Sequence, residues 1–544
     1  MFKNKKVLIF GLGILGGGLE AVKWFYKNKA NLIITDKKKK KELKPSIKKL
    51  KKIKARYVLG NHRYKDIDLV DIVYFNPGVS YKSEWVKYAQ NKNKEAVNDC
   101  YLFFKYAKGD IIAITGTRGK TTTTTWIYEL IRSIFKNKVL LGGNQPDKSL
   151  FKVLNKTKEN AVSVLEISCF QLEFYEKNLK APKIAIITNL YNDHLDRYDN
   201  IKEYASIKAR IFQNQKKDDY LILNLDNKWT RFFLSLKPKS QIYFVSLKRK
   251  PKRGIYIKEE KIFINDTKEK PIFSVKKFKE IYGDHNLYNL LFALLAAYLF
   301  LKSKNISNPQ TKIKKLRNFI LTLKTPEFRQ EIVYKNKNLI IVNDSAATSP
   351  DATINAIERF KKYKNLILIT GGTDKNLDFR ELAKKIKKEI NLENLILLNG
   401  SATKKLIDEL KKIKYKVKDE HIFERLEEAV KKALFQAIIG INCPDVNWIY
   451  YADINLMNFS DKKRISLLNQ GIISSKDPSN ISDLNPTNTS SLNPGNTSDL
   501  NPDNTIILFS PASASFEKFK NEFDRGKKFN RIIKFYVKIK PWQE

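Results

Sequence analysis

The short apolar run Ile112-Ala-Ile-Thr115 empties directly into Gly116-Thr-Arg-Gly-Lys-Thr121, and a helical pattern follows. A strand, a glycine loop and a helix in that order leave the backbone few alternatives. The glycines let N–H groups turn inward, the helix N-terminus adds a positive dipole, Lys120 adds a point charge, and the Thr121 hydroxyl can hold Mg²⁺. Such groups wrap phosphates, and ATP is the expected ligand. The spacing is G-x-x-G-K-T; Ile114 stands where the widespread G-x-x-x-x-G-K-[ST] loop has its first glycine.

A chain of 544 residues exceeds what one core organises. Strand and helix patterns alternate along it, which predicts doubly wound parallel sheets. The fold class expected is α/β in three domains: a Rossmann-like domain over residues 1–108, a central P-loop-type domain over 109–322 and a C-terminal Rossmann-like domain over 323–544. Predicted strands include Val7–Phe10, Asn31–Thr35, Asp71–Phe75, Ala161–Leu165, Lys183–Thr188, Asn338–Val342, Asn365–Thr370, Asn394–Leu398 and Thr505–Phe509. Phe423–Leu434 reads as a helix. At about 470–505 Leu-Asn-Pro recurs at 484, 492 and 500 amid Ser, Thr, Asn and Asp, a composition expected to form a disordered surface insert.

Charge and cysteine usage narrow the function classes. The net charge is +46, but the lysines spread over nearly every predicted surface helix, and no nucleic-acid recognition motif accompanies them. No specific nucleic-acid partner is expected. No apolar run reaches the roughly 20 residues of a bilayer span; Leu290–Leu301 is read as a buried helix. Cys100, Cys169 and Cys443 are isolated, which predicts free thiols in a reducing cytoplasm.

A second phosphate-type turn opens the chain. Gly11-x-Gly-x-x-Gly16 follows a strand, and Asp36 ends the next strand, the pattern of a dinucleotide fingerprint. Nothing elsewhere resembles a hydride-transfer site, so a nucleotide-linked substrate is expected rather than NAD. Asp36 is the candidate acceptor for a ribose or base N–H. Downstream of the central loop, Glu166 and His194 each follow a predicted strand, where ligands gather in open α/β sheets. A carboxylate and an imidazole can complete Mg²⁺ shells otherwise filled by phosphate and water.

The segments TGTRGKTTT, LEISCFQLE, NLYNDHLDRY, YASIK, GDHNLYN, VNDSAAT, GGTDKNLDF and SPASASFEKFK occur in this order. The chain thereby resembles the Mur ligases of peptidoglycan synthesis over nearly its whole length outside the insert. GLGILG, the Asp36 position, NDS, GGTDK and SPASAS favour the D-glutamate-adding member. The resemblance implies an ATP-dependent ligase. UDP-N-acetylmuramoyl-L-alanine would be activated as an acyl phosphate and attacked by the amine of D-glutamate. It further implies a monomer.

Residue roles follow from the same resemblance. Gly116, Thr117, Arg118, Gly119, Lys120, Thr121 and Thr122 would cradle the ATP phosphates. Thr121 and Glu166 would hold one Mg²⁺ and His194 a second. Lys208 would carry a carbamate made from CO₂, an anionic metal ligand where an ammonium would repel the ion. Asn286 and Asn289 would lie on the adenine side, with Arg329 and Asp344 reaching the nucleotide. Leu15, Asp36, Gly78 and Asn144 would contact the uridine substrate. Thr348, Lys375, Ser515 and the Phe516 backbone would hold D-glutamate, with a helix opening expected at Ser513–Phe516. Two departures stand out: Ala346 where many members have lysine, and Phe328 where histidine is common.

Two other readings compete. Another Mur ligase or a folylpolyglutamate synthetase would keep the chemistry; residues 1–108 and Asn343-Asp-Ser345 argue against both. A basic ATP-dependent nucleic-acid-binding protein would show salt-sensitive DNA affinity.

Overall fold

Strand Asp110–Thr115 is apolar on both faces, with Ile111, Ile112, Ala113 and Ile114 all fully buried. A strand covered from both sides reads as a continuous hydrophobic run. Each fully buried isoleucine contributes roughly 1.5–3 kcal/mol. In the computed structural model this strand is interior to a nine-stranded sheet. The described residues are 2–14, 16–135, 139–145, 147–194, 197–266, 269–440 and 503–537. The Leu-Asn-Pro repeat and Cys443 lie outside them. The described residues fall into two compact units, one within Met1–Lys279 and Asn286–Leu323, the other within Glu280–His285 and Lys324–Glu544.

The first unit holds two sheets. One runs Arg56–Leu59, Asn31–Asp36, Lys6–Phe10, Ile72–Phe75, Glu95–Val97, with every pairing parallel. Its strand order reverses between Lys6–Phe10 and Ile72–Phe75, which opens a crevice beyond their C-terminal ends. The other sheet sets Asp110–Thr115 between Ile184–Ile187 and Val162–Glu166, all parallel, and adds an antiparallel edge after Gly254–Lys258. Helix Lys120–Ile134 buries Trp126, Ile127, Leu130 and Ile131 at helical spacing.

Helix Leu287–Ser303 is apolar nearly all round, and its residues from Leu290 through Leu301 are buried. Among the described residues, one stretch, Asp284–Ser303, is long and apolar enough to cross a membrane. Its apolar window is 78% buried inside the protein, as befits a core helix.

The second unit carries a six-stranded sheet ordered Glu331–Lys335, Leu339–Asn343, Thr505–Phe509, Asn365–Thr370, Leu395–Leu398, Ile422–Phe423. Only the Glu331–Lys335 edge is antiparallel. The helix expected from Phe423 begins later, at Leu426, because Ile422 and Phe423 pair with Leu397 and Leu398 as an edge strand.

The first glycine turn differs from expectation in one respect. The fingerprint assigns close helix–strand packing to its third glycine, Gly16. A Cβ at Gly16 would meet nothing within 4 Å, whereas one at Gly18 would sit 2.3 Å from the Gly11 carbonyl oxygen. Gly18 therefore sets the helix against the strand. Gly18→Ala should destabilise the protein by about 1–3 kcal/mol through overpacking, read as a lowered Tm in thermal unfolding; Gly13→Ala meets no such contact, and its cost comes from its φ of +60° alone.

Candidate functional site

Five chain segments converge around the C-terminal ends of the central strands: the Gly116–Thr122 loop, Glu166, Thr188–His194, Lys208 and Asn286–Asn289. Gly116 and Gly119 take positive φ, and each leaves no room for a side chain: a Cβ would lie 2.0 Å from Thr188 Oγ1 and 2.4 Å from Asn289 Oδ1, respectively. Asn189 anchors the loop. Its side-chain oxygen accepts the Arg118 N–H at 2.9 Å, and its carbonyl accepts the Thr117 N–H at 3.1 Å. The Arg118 guanidinium lies 5.4 Å from the Tyr191 ring centre. Sequence reasoning missed Asn189, although it stands in the NLYNDHLDRY segment.

Two lysines meet on this loop. Lys120 Nζ donates to the carbonyls of Gly116 and Thr117, both at 3.0 Å. Lys208 Nζ donates to the Gly116 carbonyl at 2.9 Å and sits 4.5 Å from the Tyr204 ring centre. Lys208 is only 1% exposed, which separates it from the solvated lysines of this basic chain. Burial lowers its pKa to about 8; the charge of Lys120 adds to that, and Cys169, Asp193 and Glu166 oppose it.

Glu166 ends its strand 2% exposed, and its Oε2 has no hydrogen-bond partner among the described atoms. An orphaned buried carboxylate oxygen is costly unless a ligand completes it. A divalent cation fits that requirement. Thr121 stands one residue into the helix and Thr122 is buried. His194 holds φ +54° and packs edge-on against Phe170 at 4.9 Å. Thr121, Glu166, His194 and Lys208 are the residues that could share metal ions here. Asn289 Nδ2 donates to Asn286 Oδ1 at 2.9 Å, and Asn289 Oδ1 accepts from Thr123 at 3.1 Å, so both asparagines brace the far side of the loop.

At the first sheet, Asp36 is occupied by backbone: Gly13 N–H donates to Oδ2 at 2.8 Å and Lys38 N–H to Oδ1 at 2.9 Å. Leu15 lies outside the described residues. Gly78 is exposed beyond Ile72–Phe75, and its N–H donates to Asn76 Oδ1 at 3.2 Å. His62 stacks on Phe10 with centroids 3.8 Å apart; burial lowers its pKa to about 4, with Lys37 adding and Asp36 opposing. Asn144 is exposed after strand Val139–Gly143, its N–H on the Glu166 carbonyl at 2.8 Å.

In the second unit, Asp344 Oδ1 accepts the Gln330 N–H at 3.1 Å and Oδ2 the Ser510 hydroxyl at 2.8 Å. Burial raises its pKa to about 7, against those two hydrogen bonds. Arg329 is half-buried on the segment leading to Glu331–Lys335. Ser515 is buried with no partner on its hydroxyl among the described atoms, while Phe516 and Lys375 are exposed and Thr348 half-buried. The helix expected at Ser513–Phe516 is absent. Ala514 bridges Thr373 instead, and the helix starts at Glu522 behind an Asn521 cap. Phe328 is buried, and a Cβ on Gly526 would lie 2.4 Å from its ring, so this aromatic fills core space here.

Arg525, also missed in the sequence, is fully buried and donates to the carbonyls of Ser345, Ser513 and Ala514. It ties the Ala346 loop to the Ser515 loop. Elsewhere in this unit Glu393, Glu420 and His421 bring ligand atoms within 4.8 Å of one another, but Lys418 is already ion-paired with Glu393 and counters that charge.

The chain matches the MurD-like N-terminal domain of Mur ligases over residues 5–98, the Mur ligase middle domain over 114–297 and the Mur ligase glutamate ligase domain over 328–439. It is 36% identical over 435 residues to the UDP-N-acetylmuramoylalanine--D-glutamate ligase of Thermoanaerobacter sp. (strain X514), covering 79% of this chain and 90% of that one. The protein of the same name from Borreliella afzelii (strain PKo) is 31% identical over 540 residues, covering 98% of both chains. That from Clostridioides difficile (strain 630) is 33% identical, covering 79% and 90%. Three successive domain matches, and relatives above 30% identity along most of its length, show that the chain belongs to the Mur ligase family.

Proposed function

We propose that this Mur ligase joins D-glutamate to UDP-N-acetylmuramoyl-L-alanine at the expense of ATP, in peptidoglycan precursor synthesis. The observation that carries the reading is the convergence of the Gly116–Lys120 loop, the orphaned Glu166 carboxylate and the buried Lys208 amine, in a chain whose relatives share that name.

In this reading the residue roles are those the family motifs imply. Lys120 turns from the Gly116 and Thr117 carbonyls to the β- and γ-phosphates, and the loop N–H groups stay fixed by Asn189. Thr121, Glu166, His194 and Lys208, the last as its carbamate, would hold magnesium, which when bound would supply charge neutralisation for the transferring phosphoryl group. The carbamate forms when the neutral Lys208 amine adds to CO₂ and loses one proton. Asn286 and Asn289 face adenine, and Arg329 and Asp344 serve the nucleotide. Asp36, Gly78 and Asn144 receive the uridine substrate, and Leu15 belongs with them. Its alanyl carboxylate attacks the γ-phosphate and ADP leaves. The amine of D-glutamate, held by Thr348, Lys375, Ser515 and the Phe516 backbone, then attacks the acyl carbon and phosphate leaves.

The test is phosphate release from ATP with UDP-N-acetylmuramoyl-L-alanine and single amino acids. Release should require D-glutamate and fall at least 100-fold with L-glutamate or meso-diaminopimelate. Equal release with another amino acid would overturn the substrate assignment, and release without any uridine substrate would overturn the ligase reading.

A further inference from the structure

Arg197 lies three residues beyond His194 and spends its guanidinium on one carboxylate and the carbonyls of one turn. Its Nε and one terminal nitrogen form a fork on Glu173 at 2.8 and 2.7 Å. The terminal nitrogens also donate to the carbonyls of Gly78, Pro77 and Val79 at 3.0, 3.1 and 3.0 Å. The guanidinium stacks 4.1 Å from the Phe170 ring centre. Arg197 and Glu173 side chains are 12% and 3% exposed, so the pair is shielded from the screening that makes surface pairs weak. Glu173 is saturated further by the Tyr198 hydroxyl at 2.8 Å and the Tyr81 N–H at 3.0 Å.

One end of this assembly reaches the His194 loop and the other the turn beside Gly11. On one side the Arg197 N–H donates to the His194 carbonyl at 3.1 Å. On the other, the carbonyls it grips belong to the turn after Ile72–Phe75, where Asn76 donates to the Gly11 carbonyl at 3.2 Å. Asn76 also lies 3.2 Å from where a Gly11 Cβ would stand. A buried bidentate arginine fixes distance and angle together, which a single charge on a flexible stem does not.

We propose that Glu173 and Arg197 are positioning residues that fix the Asn76–Val79 turn of the uridine-substrate sheet against the His194 loop, so that the substrate carboxylate arrives within reach of the ATP phosphates. The inference rests on the reading above, in which that turn receives the uridine nucleotide. Arg197 acts through the carbonyls it holds, and Glu173 through Arg197 and the Tyr81 N–H. A sub-ångström to ångström displacement of the turn should cost heavily in alignment of the reacting atoms.

The test compares full-length Arg197→Lys, Glu173→Gln and, as a control at the same junction, Lys82→Ala, whose exposed ion pair with Asp199 and Glu203 carries little. Arg197→Lys and Glu173→Gln should raise KM for UDP-N-acetylmuramoyl-L-alanine at least tenfold while KM for ATP stays within about twofold; Lys82→Ala should change neither. Hydrogen exchange of the peptide spanning residues 77–82 should speed up about tenfold in Arg197→Lys and stay unchanged in Lys82→Ala. Unaltered KM values and exchange, or an equal loss of both substrates, would overturn the positioning role. A wild-type protein that shows no affinity for the uridine substrate would instead sink the functional reading, and the exchange measurement would still decide the clamp.

Discussion

Lys208→Ala is expected to lose at least 10³-fold in kcat/KM, with partial recovery in formate or acetate. The reason is the environment of this one amine. Among 103 lysines and arginines it is buried against an aromatic ring, and burial holds its pKa at about 8. At pH 8 about half of such amines are neutral, against about 0.3% for an unshifted lysine at 10.5. Only the neutral amine adds CO₂. Raising pH through about 8 increases that fraction, so stimulation of the wild type by bicarbonate should be largest below pH 8 and fade above it. A small carboxylate in the cavity left by alanine can restore an anionic oxygen. Full activity of the variant, or no response of the wild type to removal of CO₂, would contradict the assignment.

Lys120→Met should abolish turnover, with a loss of about 10³-fold or more, equivalent to about 4 kcal/mol. Methionine keeps the apolar stem as far as Cε but removes the charged nitrogen that donates to the Gly116 and Thr117 carbonyls. Lys120→Arg should also fail, because a planar fork does not enter a loop closed by Thr188 and Asn289 against its glycines. Thermal unfolding should place both variants close to wild type, which separates lost chemistry from lost folding. Measurable ATP turnover by Lys120→Met, above a few parts per thousand, would remove the loop from the reaction.

The strands were legible because they are buried on both faces and so appear as unbroken apolar runs; Asn365–Thr370 and Thr505–Phe509 begin and end where the sequence predicts. Gly116–Lys120 was legible because a glycine loop between a strand and a helix admits few backbone paths. The residues that hold these loops were not. Asn189, Glu173 and Arg197 are ordinary polar letters in motifs whose other members drew attention, Arg525 lies beyond the last motif, and each has a partner 71 to 180 positions away. The misplaced helix at Ser513–Phe516 has the same origin, since a bridge to Thr373 claims its backbone.

What the amino-acid order determined alone is local: periodicity, glycine placement and the short motifs that mark a Mur ligase, all set by steric rules acting within a few residues. Only the tertiary structure decided which of so many lysines is desolvated, which carboxylate oxygen is left unpaired, and which arginine joins two sheets. Burial and hydrogen-bond geometry depend on residues distant in the chain, and the free energy that singles out Lys208, Glu166 and Arg197 exists only once those segments have packed together.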